Sequence, residues 1–250
     1  MERKKSWRWR WSMLIRKIER LQMASERCDL IQKLSNPEKP LILAFVNAHA
    51  MNLLAKSEAF FDSLCAADTV LRDGSGMETL FNQLNIPPGL NLNGTDLIPE
   101  VIHQFNGRCI ALFGTQNPYL KYAEKFVIRE FAPQSTCVAA EGFLNDNAYI
   151  SLAVERHPAL IVLGMGMPRQ EAVALALRSS LDFPCLIICG GAIIDFWGGK
   201  TSRAPLWMRS MGLEWLFRLR MEPRRLFQRY IIGNWIFLAR VLILSTVGRR

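Results

Sequence analysis

Short apolar runs that end in polar or glycine-rich turns recur along this 250-residue chain, and they constrain its fold more than any other feature. Stretches with helical spacing follow three of these runs, at about residues 51–56, 119–130 and 170–178. Strands alternating with helices are typical of an α/β fold, because the crossover between parallel strands is usually helical. The sequence therefore predicts a Rossmann-like α/β core with an at least partly parallel sheet. The five predicted strands are Leu41–Val46, Thr69–Leu71, Cys109–Phe113, Leu160–Leu163 and Leu186–Ile188.

The turns after these strands are candidates for a binding site. Glycine-rich turns and helix N-termini present backbone N–H groups to anions at the carboxyl ends of parallel strands. Tight turns also need glycine for conformational reasons, so the pattern favours a nucleotide or phosphate site without establishing one. No turn matches G-x-G-x-x-G or G-x-x-x-x-G-K-[ST], which disfavours a standard dinucleotide site or P-loop. The substrate-binding candidates in and beside these turns are Asn47, Gly114, Gly164, Gly190, Gly191 and Asp195.

Asp73 is the candidate catalytic residue. It directly follows a predicted strand and stands in a turn that contains Gly74 and Gly76. A carboxylate that is partly desolvated at a strand end can take a proton from a sugar hydroxyl as a general base. An aspartate that only stabilises its own turn is the alternative.

Two helix starts supply further substrate-binding candidates. Gly94, Thr95 and Asp96 stand where a turn leads into a helix, and Thr95 or Asp96 is expected to cap that helix. Capping competes there with a binding role. Gln170 opens another predicted helix and can reach a ligand at the strand end, whereas Glu171 can equally interact with the helix dipole.

The residue pattern favours chemistry without a metal or a cofactor. The chain has no D-x-D pair to hold a divalent ion on a nucleotide diphosphate, and its cysteines form no C-x-x-C pair. Acyl transfer is disfavoured because there is no G-x-S-x-G sequence. A nucleotide-sugar enzyme of this kind would stabilise its leaving diphosphate with arginines and backbone N–H groups. The three histidines, His49, His103 and His157, are scattered.

Positive charge is concentrated at the two ends of the chain. Residues 1–20 hold eight basic residues against two acids, and residues 200–250 hold 11 against two. The totals of 31 basic and 22 acidic residues leave 12 basic residues against 18 acids for residues 21–199. We therefore predict a basic N-terminal extension (1–36), an α/β core (37–199) and a basic amphipathic helical C-terminal appendage (200–250). The seven tryptophans also lie near the ends: Trp7, Trp9, Trp11, Trp197, Trp207, Trp215 and Trp235.

Cationic and aromatic ends suit an anionic membrane surface, where cations meet head groups and indoles lie at the boundary. Nucleic acid is the alternative partner for positive charge, but the apolar residues of the appendage favour the membrane and no nucleic acid. Residues 231–247 contain Asn234 and Arg240, which favour an interfacial or protein-packed helix over a true span. Without a signal peptide, the chain is expected in the cytoplasm, peripheral on the inner face of the cell membrane.

Taken together, these segments resemble the WecG/TagA/CpsF family of bacterial glycosyltransferases (glycosyltransferase family 26). The resemblance covers about residues 41–230, follows the family order and is most specific in its last block. The matching segments are Asn47-Ala-His49, Asp73-Gly-Ser-Gly76, Gly94-Thr-Asp-Leu97, Gly164-Met-Gly-Met-Pro-Arg-Gln-Glu171, Gly190-Gly-Ala-Ile-Ile-Asp-Phe196, Arg203-Ala-Pro205, Gly212-Leu-Glu-Trp215, Arg218-Leu219 and Glu222-Pro-Arg224.

The resemblance implies a metal-independent, inverting transferase. Such an enzyme moves a sugar from a UDP-sugar donor to a polyprenyl-diphosphate-linked saccharide at the inner membrane face. It implies that Asp73 is the base and that Gln170 lies in the active site. It also implies that an arginine-rich appendage closes over the site and engages membrane and diphosphate, with Arg203, Arg218 and Arg225 as the matching residues.

Two departures from the family pattern bear on the substrate. Phe45 stands where many members have Thr, and Asn91 stands where many have Arg, so a hydroxyl and a cation are missing or supplied elsewhere. The donor sugar is therefore not copied from the members that transfer N-acetylmannosamine. The rival interpretation is a non-catalytic membrane module of the same fold. The absence of Asp73 or Gln170 would have supported it, but both residues are present.

Overall fold

The computed structural model describes residues 6–247, so the outermost residues of the predicted extension and appendage lie outside the described part. Its centre is a six-stranded sheet with the order β2-β1-β6-β5-β3-β4, and every strand pair is parallel. The prediction of an α/β fold with a parallel sheet is confirmed. The strands are β1 (Leu41–Val46), β2 (Thr69–Arg72), β3 (Ile110–Gly114), β4 (Cys137–Ala140), β5 (Leu160–Gly164) and β6 (Leu186–Cys189).

The strands form a sheet that is buried on both faces. In β1, Ala44 and Val46 contribute to one hydrophobic core, while Leu43 and Phe45 contribute to the other. Strands β3, β5 and β6 divide their side chains in the same way, since successive residues of a strand point to opposite faces. This double burial explains why the central strands are continuous apolar runs rather than alternating ones.

Helices cover both faces of the sheet. The helix predicted over 119–130 has those bounds, and the one predicted from about residue 170 begins at Arg169. The helix after β1 begins at Ala48, about three residues earlier than predicted, because the Asn47 side chain caps it. The helices of the body are α1 (Trp7–Lys17), α2 (Ala24–Ser35), α3 (Ala48–Leu54), α4 (Glu58–Ala66), α5 (Ser75–Gln83), α6 (Gly94–His103), α7 (Tyr119–Glu130), α8 (Asp146–Arg156), α9 (Arg169–Ser180) and α10 (Ile193–Trp197).

The C-terminal appendage is helical, as predicted from its sequence. Short helices lead into a π-helical segment, whose wider turn often occurs at functional sites. A long final helix follows. These elements are α11 (Leu206–Ser210), α12 (Glu214–Met221), α13 (Pro223–Phe227), the π segment (Gln228–Ile232) and α14 (Gly233–Val247).

Helix α14 is docked against the body along one face. The Asn52 amide on α3 donates to the carbonyl of Gly233 at 2.7 Å and accepts from Arg240 at 2.8 Å. The rings of Trp11 and Phe237 lie 5.5 Å apart, so α1 and α14 are also neighbours. The Trp11 indole is fully buried and donates to the carbonyl of Met51 at 2.8 Å. Helices α1 and α14 are thus packed together on the core to which Ala44 and Val46 contribute.

The opposite face of α14 is apolar and exposed. The stretch Pro223–Thr246 is long and apolar enough to cross a membrane by length and composition, and 17% of its apolar window is buried. Core helices of soluble proteins pass the same test. The exposed apolar residues of this face are Trp235, Leu238, Leu242 and Ile243.

Candidate active site

The carboxyl ends of the strands bring most of the predicted site residues to one edge of the sheet. Asp73 directly follows β2, and Asn47 directly follows the neighbouring strand β1. Gly190 and Gly191 follow β6, which pairs with the other side of β1. Gly164 and Gly114 end the next two strands, β5 and β3. Open parallel sheets bind their ligands in crevices at this edge.

The position of Asp73 is held through its neighbours. Its backbone N–H donates to the Val46 carbonyl at 2.8 Å, and the Gly74 N–H donates to the Asn91 side chain at 3.3 Å. The Asn47 side chain caps α3 and also hydrogen-bonds to the Asp73 carboxyl group. Asn91, one of the two departures from the family pattern, therefore lies beside the candidate base.

The charge balance at Asp73 suits a general base. Burial raises the pKa of the Asp73 carboxyl group, which strengthens it as a proton acceptor. The Asn47 hydrogen bond and the positive charges of Arg229, Arg218 and Arg72 oppose that rise and favour the ionised form. Arg72 itself is buried and binds backbone carbonyls of the loop after α5, so it is used structurally.

Arg229 is a site residue that its sequence context does not single out. It lies in the π segment, and its positive charge acts on both Asp73 and His49. Its Nε atom is buried without a hydrogen-bond partner among the described residues. Burial and the Arg229 charge lower the pKa of His49 to about 4, so this imidazole is neutral at physiological pH. In the sequence, Arg229 is one of several arginines in a basic tail, and nothing there marks it as a site residue.

A second carboxyl group, Glu214, also lies near Asp73. Burial raises the pKa of Glu214, and the negative charge of Asp73 raises it further against the opposing charges of Arg203, Arg218 and Arg209. Glu214 begins α12, so the appendage carries this group to the strand edge. Glu214 is therefore the alternative to Asp73 as a base.

Arg203 joins the appendage to the body. Its guanidinium lies 2.6 Å from the Asp96 carboxylate, and Arg209 lies 3.6 Å from the same oxygen. Burial raises the pKa of Asp96, but the hydrogen bonds from Asn93 and Arg203 and the nearby cations outweigh it, so the net pKa is lowered. The N-cap of α6 is Asn93, whose side chain accepts from the Asp96 N–H at 3.0 Å. The expectation that Thr95 or Asp96 caps this helix is therefore wrong, because both lie inside its first turn.

The two other arginines implied by the resemblance have different surroundings. Arg218 stacks over the Phe196 ring at 5.5 Å and contributes positive charge at Asp73. Arg225 pairs with Glu222 through two hydrogen bonds, and the negative charge of Asp195 also favours its charged form. A ligand diphosphate at Arg225 would therefore compete with Glu222.

Asp195 lies at the β3 side of the edge. Lys200 contacts it at 3.3 Å and also reaches the Thr115 hydroxyl, which follows β3, at 3.4 Å. Lys200 is a second cation of the strand edge that the sequence pattern does not mark. Its signal is weak, because it is an isolated lysine in a loop.

Close packing explains some of the glycines of the edge. A Cβ atom on Gly114 would lie 2.6 Å from the backbone carbonyl of Gly164, since β3 and β5 approach closely where they end. A Cβ atom on Gly94 would lie 3.4 Å from the Phe45 ring, which fills the space beside that glycine. The contact at Gly114 explains that glycine without a ligand, whereas the distance at Gly94 is an ordinary van der Waals contact. The predicted role of both glycines in substrate binding stays a prediction.

Gln170 and Glu171 are almost completely buried, with 0% and 2% of their surface exposed. The Gln170 side chain accepts from the Gly191 N–H at 2.9 Å and donates to Glu171 at 2.8 Å. Gln170 thus contacts the turn after β6 from inside the protein. Direct contact of either side chain with a substrate stays a prediction.

No group of three or more His, Cys, Asp or Glu side chains that could hold a metal ion occurs within residues 6–247. The groups gathered at the edge are carboxylates, amides and guanidinium groups. They can exchange a proton and bind an anionic ligand.

Comparison with known proteins shows what the chain is similar to. The family model described as "Glycosyl transferase WecG/TagA/CpsF family" matches residues 11–250. The N-acetylglucosaminyldiphosphoundecaprenol N-acetyl-beta-D-mannosaminyltransferase of Bacillus subtilis (strain 168) is 25% identical over 188 residues, which are 74% of this chain and 73% of the relative. The protein of the same name from Staphylococcus aureus (strain MW2) is 24% identical over 190 residues, 74% of each chain.

Proposed function

Since this chain belongs to the WecG/TagA/CpsF family of glycosyltransferases, we propose that it transfers a sugar from a UDP-sugar to a polyprenyl-diphosphate-linked saccharide. The names of the two relatives support the acceptor class, because both describe transfer to a diphosphoundecaprenol-linked sugar. The product would serve the synthesis of a bacterial exopolysaccharide, surface glycan or teichoic acid.

The observation that carries the chemical proposal is the surroundings of Asp73. Its carboxyl group lies at the carboxyl edge of the sheet, bonded to Asn47 and facing the charges of Arg229 and Arg218. In the proposed reaction Asp73 takes the proton of an acceptor hydroxyl. The hydroxyl oxygen then bonds to the anomeric carbon from the face opposite the diphosphate, and the bond to UDP breaks with inversion.

The leaving UDP needs positive charge at the moment the bond breaks. Guanidinium groups hold diphosphate oxygens through paired hydrogen bonds and so stabilise the charge that develops on them. Arg218 and Arg225 are proposed for this role, with Arg229 as a third cation on the appendage side of Asp73. The enzyme is proposed to work without a metal ion, since the chain lacks a D-x-D pair.

The acceptor lipid requires a position at the membrane, and α14 supports one. Its apolar outer face includes Trp235, which is 72% exposed, and the appendage adds a surplus of basic residues. Apolar burial in the head-group region and attraction to anionic lipid would act together. We propose peripheral attachment to the inner face of the cell membrane, because one face of α14 is already occupied by the body.

The experiment that tests this function offers the full-length chain a panel of UDP-sugars and a lipid-diphosphate disaccharide. Product mass identifies the donor, and a parallel reaction in EDTA tests independence from metal. Transfer of one sugar from any UDP-sugar of the panel in EDTA supports the proposal. Absence of transfer from every donor contradicts it, and activity that EDTA abolishes and Mg²⁺ restores contradicts the metal-free mechanism.

A further inference from the structure

A buried chain of hydrogen bonds runs beneath the turn after β6. The Gly191 N–H donates to Gln170 Oε1 at 2.9 Å, and Gln170 Nε2 donates to Glu171 Oε1 at 2.8 Å. Gly191 has a φ of +65°, in the left-handed region that favours glycine. The turn that borders the candidate active site is therefore tied to two side chains of α9.

Glu171 is an unusual residue to find at this position. Its Oε2 atom is buried and has no hydrogen-bond partner among residues 6–247. No lysine or arginine of that part of the chain contributes to its pKa, and the titratable group of β6 that faces it is the Cys189 thiol. A buried carboxyl group without a cation is costly to ionise, so a purely structural helix would be more stable with an apolar side chain there.

We propose that Glu171 is a positioning residue that sets the orientation of the Gln170 amide and thereby holds the Gly191 turn in place. A carboxyl oxygen accepts a hydrogen bond, so it draws the NH₂ group of Gln170 towards itself. The amide oxygen is then left facing the Gly191 N–H. A flipped amide would put two donors face to face at Gly191 and two acceptors face to face at Glu171.

The protonation of Glu171 makes this device sensitive to pH. Burial raises the pKa of Glu171 to about 7. Above that pH the ionised oxygen accepts the Gln170 hydrogen bond more strongly than the neutral form does, because charge-assisted hydrogen bonds are stronger. In local openings that leave Glu171 buried, the Gly191 turn should therefore be held more tightly at pH 8 than at pH 6, even though ionisation of this buried group lowers the stability of the whole fold. The consequence for catalysis rests on the proposed function, whereas the consequence for the turn does not.

The first experiment measures the turn itself. Amide hydrogen exchange at residues 190–192, corrected for the intrinsic effect of pH, is compared in wild type, Glu171→Gln, Glu171→Leu and the control Glu155→Gln. Glu155 is exposed and pairs only with its neighbour Arg156 in the described structure, so its replacement should leave the turn unchanged. Loss of one hydrogen bond should speed exchange in Glu171→Leu about tenfold.

Glutamine retains an acceptor oxygen but cannot ionise, so Glu171→Gln should lack the difference between pH 6 and pH 8 that wild type shows. Exchange in Glu171→Leu at the wild-type rate would overturn the proposal. If Glu171→Leu does not fold, a pH difference that persists in Glu171→Gln overturns it instead.

The second experiment uses the transfer assay across the same pH range. A displaced turn should raise the KM for the UDP-sugar in Glu171→Leu more than it lowers kcat, and Glu171→Gln should lose the component of kcat/KM that titrates near pH 7. The component due to Asp73 should remain in all variants. Unchanged KM and pH profile in both variants would contradict the catalytic consequence. Altered exchange in a chain that transfers no sugar would instead reject the proposed function alone.

Discussion

Glutamine at position 171 should make the stability of the protein less dependent on pH. An unfolded glutamate has a pKa of about 4.5, and burial in the fold raises the pKa of Glu171 to about 7. Below pH 4.5 the group is protonated in both states. As the pH rises towards 7, the unfolded chain loses the proton while the folded chain keeps it, so wild type loses stability across this window.

The magnitude follows from the two pKa values. One pKa unit corresponds to about 1.4 kcal/mol. The difference in free energy of unfolding between Glu171→Gln and wild type should therefore shift by about 2.5 kcal/mol in favour of the variant as the pH rises from 5 to 8. Urea unfolding of both proteins at several pH values measures the difference, and the exposed control Glu155→Gln should run parallel to wild type. A stability difference between Glu171→Gln and wild type that is constant across this range would refute the reasoning.

Three further predictions concern the appendage and its support. Arg229→Gln should lower turnover at least tenfold and shift the acid limb of the pH–rate profile to higher pH, because the loss of a neighbouring cation raises the pKa of Asp73. An acid limb at the wild-type pH would contradict the proposed effect of Arg229 on Asp73. Arg218→Lys and Arg225→Lys should bind anionic vesicles like wild type, with binding weakened but not abolished by salt, yet turn over more slowly. Wild-type turnover in both would leave only general attraction to the membrane. Trp11→Ala should lose about 3–5 kcal/mol of stability in denaturant unfolding, and a loss under about 1 kcal/mol would contradict its packing beneath α14.

The sequence predicts the strands of the sheet centre well, because double burial makes them continuous apolar runs. Strand β4 (Cys137–Ala140), which the sequence did not predict, has a weaker pattern. It is a four-residue edge strand with mostly half-buried side chains, so neither a long apolar run nor a clear alternation marks it. The turn and helix-start residues lie at the carboxyl edge of the sheet, as predicted. The predicted capping residue of α6, Thr95 or Asp96, is two or three positions after the actual N-cap, Asn93.

The parts of the site that the sequence could not predict depend on tertiary contacts. Arg229 acts on Asp73 because the π segment carries it towards that carboxyl group, and nothing in the basic run around it marks this position. Trp11 belongs to a Trp/Arg run that suggested a membrane surface, yet its indole is buried against Phe237, and the Met51 carbonyl accepts its N–H. The burial of Gln170 and Glu171 is likewise set by the packing of α9 on the sheet, which a helix-start pattern does not reveal.

The central claim is that Asp73 is the base of a sugar transfer, and turnover of Asp73→Asn tests it most directly. The assay uses the UDP-sugar that the panel identifies, with Glu214→Gln as the rival base and the exposed Asp62→Asn as the matched control. The account predicts that Asp73→Asn loses roughly 10²–10⁴-fold in kcat while donor binding changes little. Glu214→Gln should retain far more activity, and Asp62→Asn should match wild type. Turnover of Asp73→Asn within a few-fold of wild type, or a collapse confined to Glu214→Gln, would contradict the account.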